Sequence, residues 1–137
     1  MKNPKRISKS IFYILLAIFI LIVLYFVIPS SQEIRRVLFP VIAVLGIIFF
    51  ILGGILIFTA WKLKGKLRLF LILTGASALC VLISVLLHNF VYGLFIYLFG
   101  EGFWQGGDEA FFFIIALFVC PIVFLIGVIG TLMNLRK

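Results

Sequence analysis

Apolar side chains run almost unbroken through residues 11–28, 37–61, 69–99 and 110–133, and no charged residue falls inside any of these four stretches. A helix rising 1.5 Å per residue needs about 20 such residues to cross a hydrocarbon core roughly 30 Å thick. The pattern predicts an all-α chain, a single integral membrane domain over residues 1–137 built as a four-transmembrane-helix bundle. The expected helices cover about 11–28, 33–61, 69–89 and 109–133. The third run is too long for one crossing. Its 31 residues would make a straight helix of about 46 Å. Asn89 and Gly93 mark the expected break. Residues 90–104, with Tyr92 and Tyr97, are expected to form an additional extracytoplasmic interfacial aromatic segment.

Local signals set the expected boundaries. Ser30-Ser31-Gln32-Glu33 fits the S-x-x-E pattern, in which Ser30 caps the second helix and Glu33 reaches back to its N–H. Asp108 is the expected N-cap of the fourth helix, with Glu109 in its first turn, both at the positive end of the helix dipole. Pro40 and Pro121 remove backbone donors, so both predict bends. The 18-residue first run exceeds the roughly 7–15 residues of a secretory signal. No A-x-A-like site follows it, so the first helix is expected to stay uncleaved.

Within the apolar runs, small and polar residues recur at helical spacing. Thr74, Ser77, Cys80, Ser84 and His88 step by three or four and share one face of the third helix. Ala116, Cys120, Gly127, Thr131 and Asn134 form a matching stripe on the fourth. Such residues let helices approach closely in lipid, so the two stripes are expected to meet, with Cys80 and Cys120 at one depth. Gly46, Gly53 and Ala60, seven apart, make a similar stripe on the second helix.

Composition agrees with this picture. Of 137 residues, 66% are hydrophobic and 12% charged, more apolar surface than a small water-soluble domain can hide. The net charge of +8 would fit a nucleic-acid binder only if it formed one surface patch. Instead Lys2, Lys5, Arg6, Lys9, Lys62, Lys64, Lys66, Arg68, Arg136 and Lys137 all fall at one end of the alternating helices. Arg35, Arg36 and all four acids fall at the other. Lys and Arg accumulate in cytoplasmic loops. A multi-pass protein of the cell (inner) membrane, with cytoplasmic N- and C-termini, is therefore expected. The implied partners are the lipid bilayer and another copy or another membrane protein, not nucleic acid.

Candidate chemistry is sparse. Three of the four acidic residues, Glu101, Asp108 and Glu109, sit in one aromatic-flanked loop. With His88 they offer carboxylates and imidazole to a divalent metal, but their spacing matches no ligand pattern, and no metal site is expected. His88 is expected to be a hydrogen-bonding histidine near the outer interface. Ser84 and His88 lie one turn apart, yet no third group completes a nucleophilic site. The lone Cys80 and Cys120 form no C-x-x-C pair. No carboxylate lies deep in a span, where small multidrug exporters of similar length carry a glutamate in their first helix.

The stretches LISVLLHNFVYGLFIYLFGEGFW, residues 82–104, and GGDEAFFFIIALFVCPIVFLIG, residues 106–127, resemble a family of small four-helix integral membrane proteins of bacteria and archaea. That resemblance implies location and fold, and no activity, cofactor or catalytic residue. The expectation is a non-enzymatic interaction, assembly or accessory subunit. The alternative is a small channel or transporter with its path along the polar face of the third helix.

Overall fold

The computed structural model describes residues 3–135; Lys2, Arg136 and Lys137 lie outside the described residues. The fold is four helices, α1 (Pro4–Val27), α2 (Gln32–Ala60), α3 (Gly65–Phe99) and α4 (Ala110–Leu135), each long and apolar enough to cross a membrane.

Capping chemistry moves several boundaries from those expected. α1 starts ahead of the apolar run because Asn3 accepts from the Lys5 N–H at 3.0 Å and Pro4 supplies a preset first-turn φ. The N-cap of α2 is Ser31, not Ser30; its hydroxyl accepts from the Ile34 N–H at 3.4 Å. α2 then continues helical through Pro40.

α3 corrects the expected break. It is a single helix of 35 residues that passes Asn89 and Gly93, about 52 Å long by its rise. The Asn89 amide donates to the Val85 carbonyl at 2.8 Å, so its polar group is satisfied by the helix it was expected to interrupt. No proline occurs between residues 65 and 99, so no position within the helix lacks a backbone N–H. The helix stops at Gly100, whose φ of 88° favours glycine. Tyr92, Phe95, Phe99, Phe103 and Trp104 form one cluster, while Phe90 and Tyr97 stay exposed. Trp104 stacks on Tyr92 with centroids 5.8 Å apart and donates its indole N–H to the Tyr92 carbonyl. Phe103 packs on Phe95 and Phe99. The loop after α3 therefore folds back on the helix's last turns.

α4 widens into a π-helical turn at Ile115–Val119, just before Pro121. Pro121 has no N–H to give the Leu117 carbonyl, and its ring would crowd that carbonyl in a regular helix; a wider turn relieves both.

α3 lies between α2 and α4, and α1 packs on α2. Aromatic rings close the bundle across its middle: Phe19 of α1 stacks on Phe124 of α4 at 4.4 Å, and Phe49 of α2 lies 5.4 Å from Phe124. α2 and α3 cross at Gly53 and Gly75. A Cβ on Gly53 would sit 2.9 Å from the Gly75 oxygen, and one on Gly75 would sit 2.7 Å from the Gly53 oxygen. Gly46, on the same expected stripe, meets nothing within 4 Å. α1 and α2 are joined at their basic end by a hydrogen bond the sequence did not signal, Ser8 to Thr59, with hydroxyl oxygens 3.0 Å apart.

Candidate functional site

The expected stripes meet between α3 and α4. Thr74, Ser77, Ser84, Ala116, Cys120, Gly127 and Thr131 are all buried. A Cβ on Gly127 would lie 2.5 Å from Thr74 Oγ1 and 2.9 Å from its backbone nitrogen. The Phe70 ring covers Gly130. The hydroxyls bond mostly to their own helix: Thr74 donates to the Phe70 carbonyl at 2.9 Å and Ser77 to the Thr74 carbonyl at 2.9 Å. Cys80 lies 3.7 Å from the Ser84 hydroxyl, and Cys120 is buried. Both thiols are free. Thr131 Oγ1 is buried without a partner among the described residues.

A hydroxyl that bonds its own helix adds little to the seam, so Ser77→Ala is expected to cost only about 0.6 kcal/mol. Ser77→Leu, which forces the helices apart, should cost about 1–3 kcal/mol. Thermal unfolding of both variants in mild detergent checks the contrast.

At the end of this seam away from the basic loop, His88, Asp108 and Glu109 come together. His88 reaches across from α3. Its Nδ1 lies 2.9 Å from the Glu109 carbonyl oxygen and 3.2 Å from Glu109 Oε2. Both are acceptors, so Nδ1 carries a proton. Nε2 faces Asp108 Oδ2 at 3.5 Å. The Phe113 ring covers the imidazole, centroids 5.6 Å apart.

The cap of α4 is Glu109, not Asp108 as expected. Its carboxylate accepts from the Phe111 N–H at 2.7 Å and from the Phe112 N–H at 3.0 and 3.1 Å. Asp108 stands one residue further out and accepts from the Glu109 N–H at 2.8 Å. Glu109 is 6% exposed and Asp108 60%, and this explains the exchange of roles. The buried carboxylate must have its lone pairs filled, while the exposed one can use water. Burial pushes the Glu109 carboxyl up. The Phe112 N–H, His88 and the Phe111 N–H, bonding to the ionised form, outweigh it and hold the pKa below the ordinary 4.5.

Glu101 makes no ion pair in this cluster; the ion pairs among the described residues join His88 to Asp108 and to Glu109. No group of three His, Cys, Asp or Glu side chains is arranged to hold a metal ion among the described residues. The geometry is that of a clamp. One imidazole fastens the C-terminal part of α3 to the cap of α4 and leaves one carboxylate exposed. Ser84 sits a turn below, beside Cys80 rather than His88.

No protein-family model, curated protein or solved structure matches this chain.

Proposed function

We propose that this chain is a multi-pass integral protein of the cell membrane that acts as a non-enzymatic interaction partner, assembly factor or accessory subunit. The membrane reading is supported by large apolar side chains exposed on all four helices, among them Phe26, Val37, Phe58, Phe90, Phe118 and Met133. So much exposed apolar surface would aggregate in water. The basic end carries interfacial features as well: Arg68 packs over the Trp61 ring at 4.7 Å and Lys62 over Phe58 at 5.1 Å. The aromatic cluster around Tyr92 and Trp104 would sit at the opposite interface, where amphipathic rings favour headgroup depth.

Both termini face the cytoplasm on this reading. Single cysteines replacing Lys2 and Lys137, in a background without Cys80 and Cys120, should resist an impermeant maleimide in intact cells and react after permeabilisation. Labelling of either from outside would reverse the orientation.

The observation that carries the choice of function is the approach of Gly127 to Thr74. A path along the polar face of α3 needs room for water or solute, and there even a methyl group would clash. Those hydroxyls are spent on their own backbone, which supports a packing role over a conducting one. Proteoliposomes bearing the chain should show no more proton, ion or solute flux than empty vesicles. A flux abolished by Ser77→Ala, with stability unchanged, would install the channel or transporter reading instead.

A further inference from the structure

α1 and α2 are joined at the basic end, but their outer halves enclose an apolar groove of about 410 Å³, lined by Leu21, Tyr25, Ser30, Leu38, Ile42 and Leu45 among others. Its outer mouth is tied to a cation. The Tyr25 hydroxyl donates to the Arg35 carbonyl at 3.2 Å, and Arg35 Nε donates to the Ser30 hydroxyl at 3.3 Å. Arg36, one position on, is turned about 100° further from the lining positions 34, 38, 41 and 45 of α2. Among the described residues every ion pair involves His88, so neither arginine has a carboxylate partner. The α2 lining runs from Ile34 to Leu45, about 18 Å by helical rise. Apart from Ser30 and the Tyr25 hydroxyl the lining is apolar, which suits an extended hydrocarbon chain lying along α2.

We propose that this groove holds one acyl chain of an anionic phospholipid, its phosphate against Arg35. The inference rests on the membrane reading above. The apolar wall takes the chain out of competition with water, and the Arg35 guanidinium selects the headgroup, since Arg pairs with phosphate through fixed parallel donors. A zwitterionic lipid would fill the groove equally well but bring no net charge to Arg35.

The test uses the full chain reconstituted in vesicles of equal parts phosphatidylcholine and phosphatidylglycerol, extracted in mild detergent and weighed by native mass spectrometry. One phosphatidylglycerol should be retained per chain, enriched at least tenfold over phosphatidylcholine. Arg35→Gln should bring the two lipids to parity, and Arg36→Gln should leave the enrichment in place. Ile42→Trp should fill the groove and remove both, with Leu38→Phe as the milder version if the first does not fold. Lys62→Gln with Lys64→Gln, at the other end, should leave the enrichment intact. Equal retention of the two lipids by the unaltered chain, retention undiminished by the filled groove, or a second copy of the chain in place of lipid would each overturn the inference. Loss of the chain from the vesicles in alkaline carbonate would overturn the membrane reading and the inference together. A chain that stays embedded and holds both lipids equally would sink the lipid site alone.

Discussion

Gly127→Leu should lower stability by about 3 kcal/mol or more, seen as a fall of roughly 10 °C in the unfolding midpoint in detergent. The Cβ alone would meet Thr74 at three atoms between 2.5 and 3.1 Å, two of them backbone, and backbone cannot swing aside as a side chain can. α3 and α4 would have to separate, opening the contacts around Phe124 and Cys120. Gly75→Ala should behave similarly, since its Cβ would press on the Gly53 oxygen and on Ile57. Gly46→Ala and Gly93→Ala should do the reverse. Both sites are helical with nothing within 4 Å, so the alanine removes backbone freedom from the unfolded chain and gains about 0.5–1 kcal/mol. A Gly127→Leu chain as stable as the unaltered one would mean that α3 and α4 do not pack along this seam.

That contrast also marks how far the sequence can be read. Gly46 and Gly53 look alike on a heptad stripe, yet one is open and the other pressed against α3. Spacing identifies the face of a helix; it does not say at which turn a neighbour crosses it, because packed helices cross at an angle and touch over a few turns. The four helices were legible because no charge interrupts their apolar runs. The α3–α4 seam was legible because Thr74, Ser77 and Ser84 keep helical spacing. The continuity of α3 was missed because length was judged against bilayer thickness, whereas the backbone ladder ends only where a residue such as Gly100 turns it. Pro121 signalled a disturbance in α4 but not its form as a π-helical turn. Ser8 and Thr59 belong to no stripe and lie 51 residues apart, so only folding reveals their bond. The same holds for the choice between Asp108 and Glu109 as cap, which depends on His88, 21 residues from Glu109.

Glu109 is the second place where one side chain should matter greatly. Its carboxylate fills two helix-terminal N–H groups of α4 and faces His88 of α3. Glu109→Ala is expected to cost about 2 kcal/mol: roughly 1 for the cap and a similar amount for the charge-assisted contact. The second loss is limited because His88 Nδ1 keeps the Glu109 carbonyl at 2.9 Å. Glu109→Gln should cost less, since an amide oxygen can still cap the helix without the charge. The pH dependence separates charge from shape. Burial raises the Glu109 pKa, but the hydrogen bonds from Phe112, His88 and Phe111, with the charge His88 carries when protonated, bring it below 4.5. A carboxyl depressed in the folded state binds its proton more weakly there than in the unfolded chain. Its stabilisation is therefore complete above the ordinary carboxylate pKa and is lost as pH falls through the lower folded value. The unfolding midpoint of the unaltered chain should drop on acidification below about pH 4.5, and Glu109→Gln should flatten that part of the curve. Asp108→Asn, at a side chain 60% exposed, should leave the acid slope in place. If Glu109→Gln kept the full slope while Asp108→Asn removed it, the outward carboxylate would be the one that fastens His88, and the buried one would serve the cap alone.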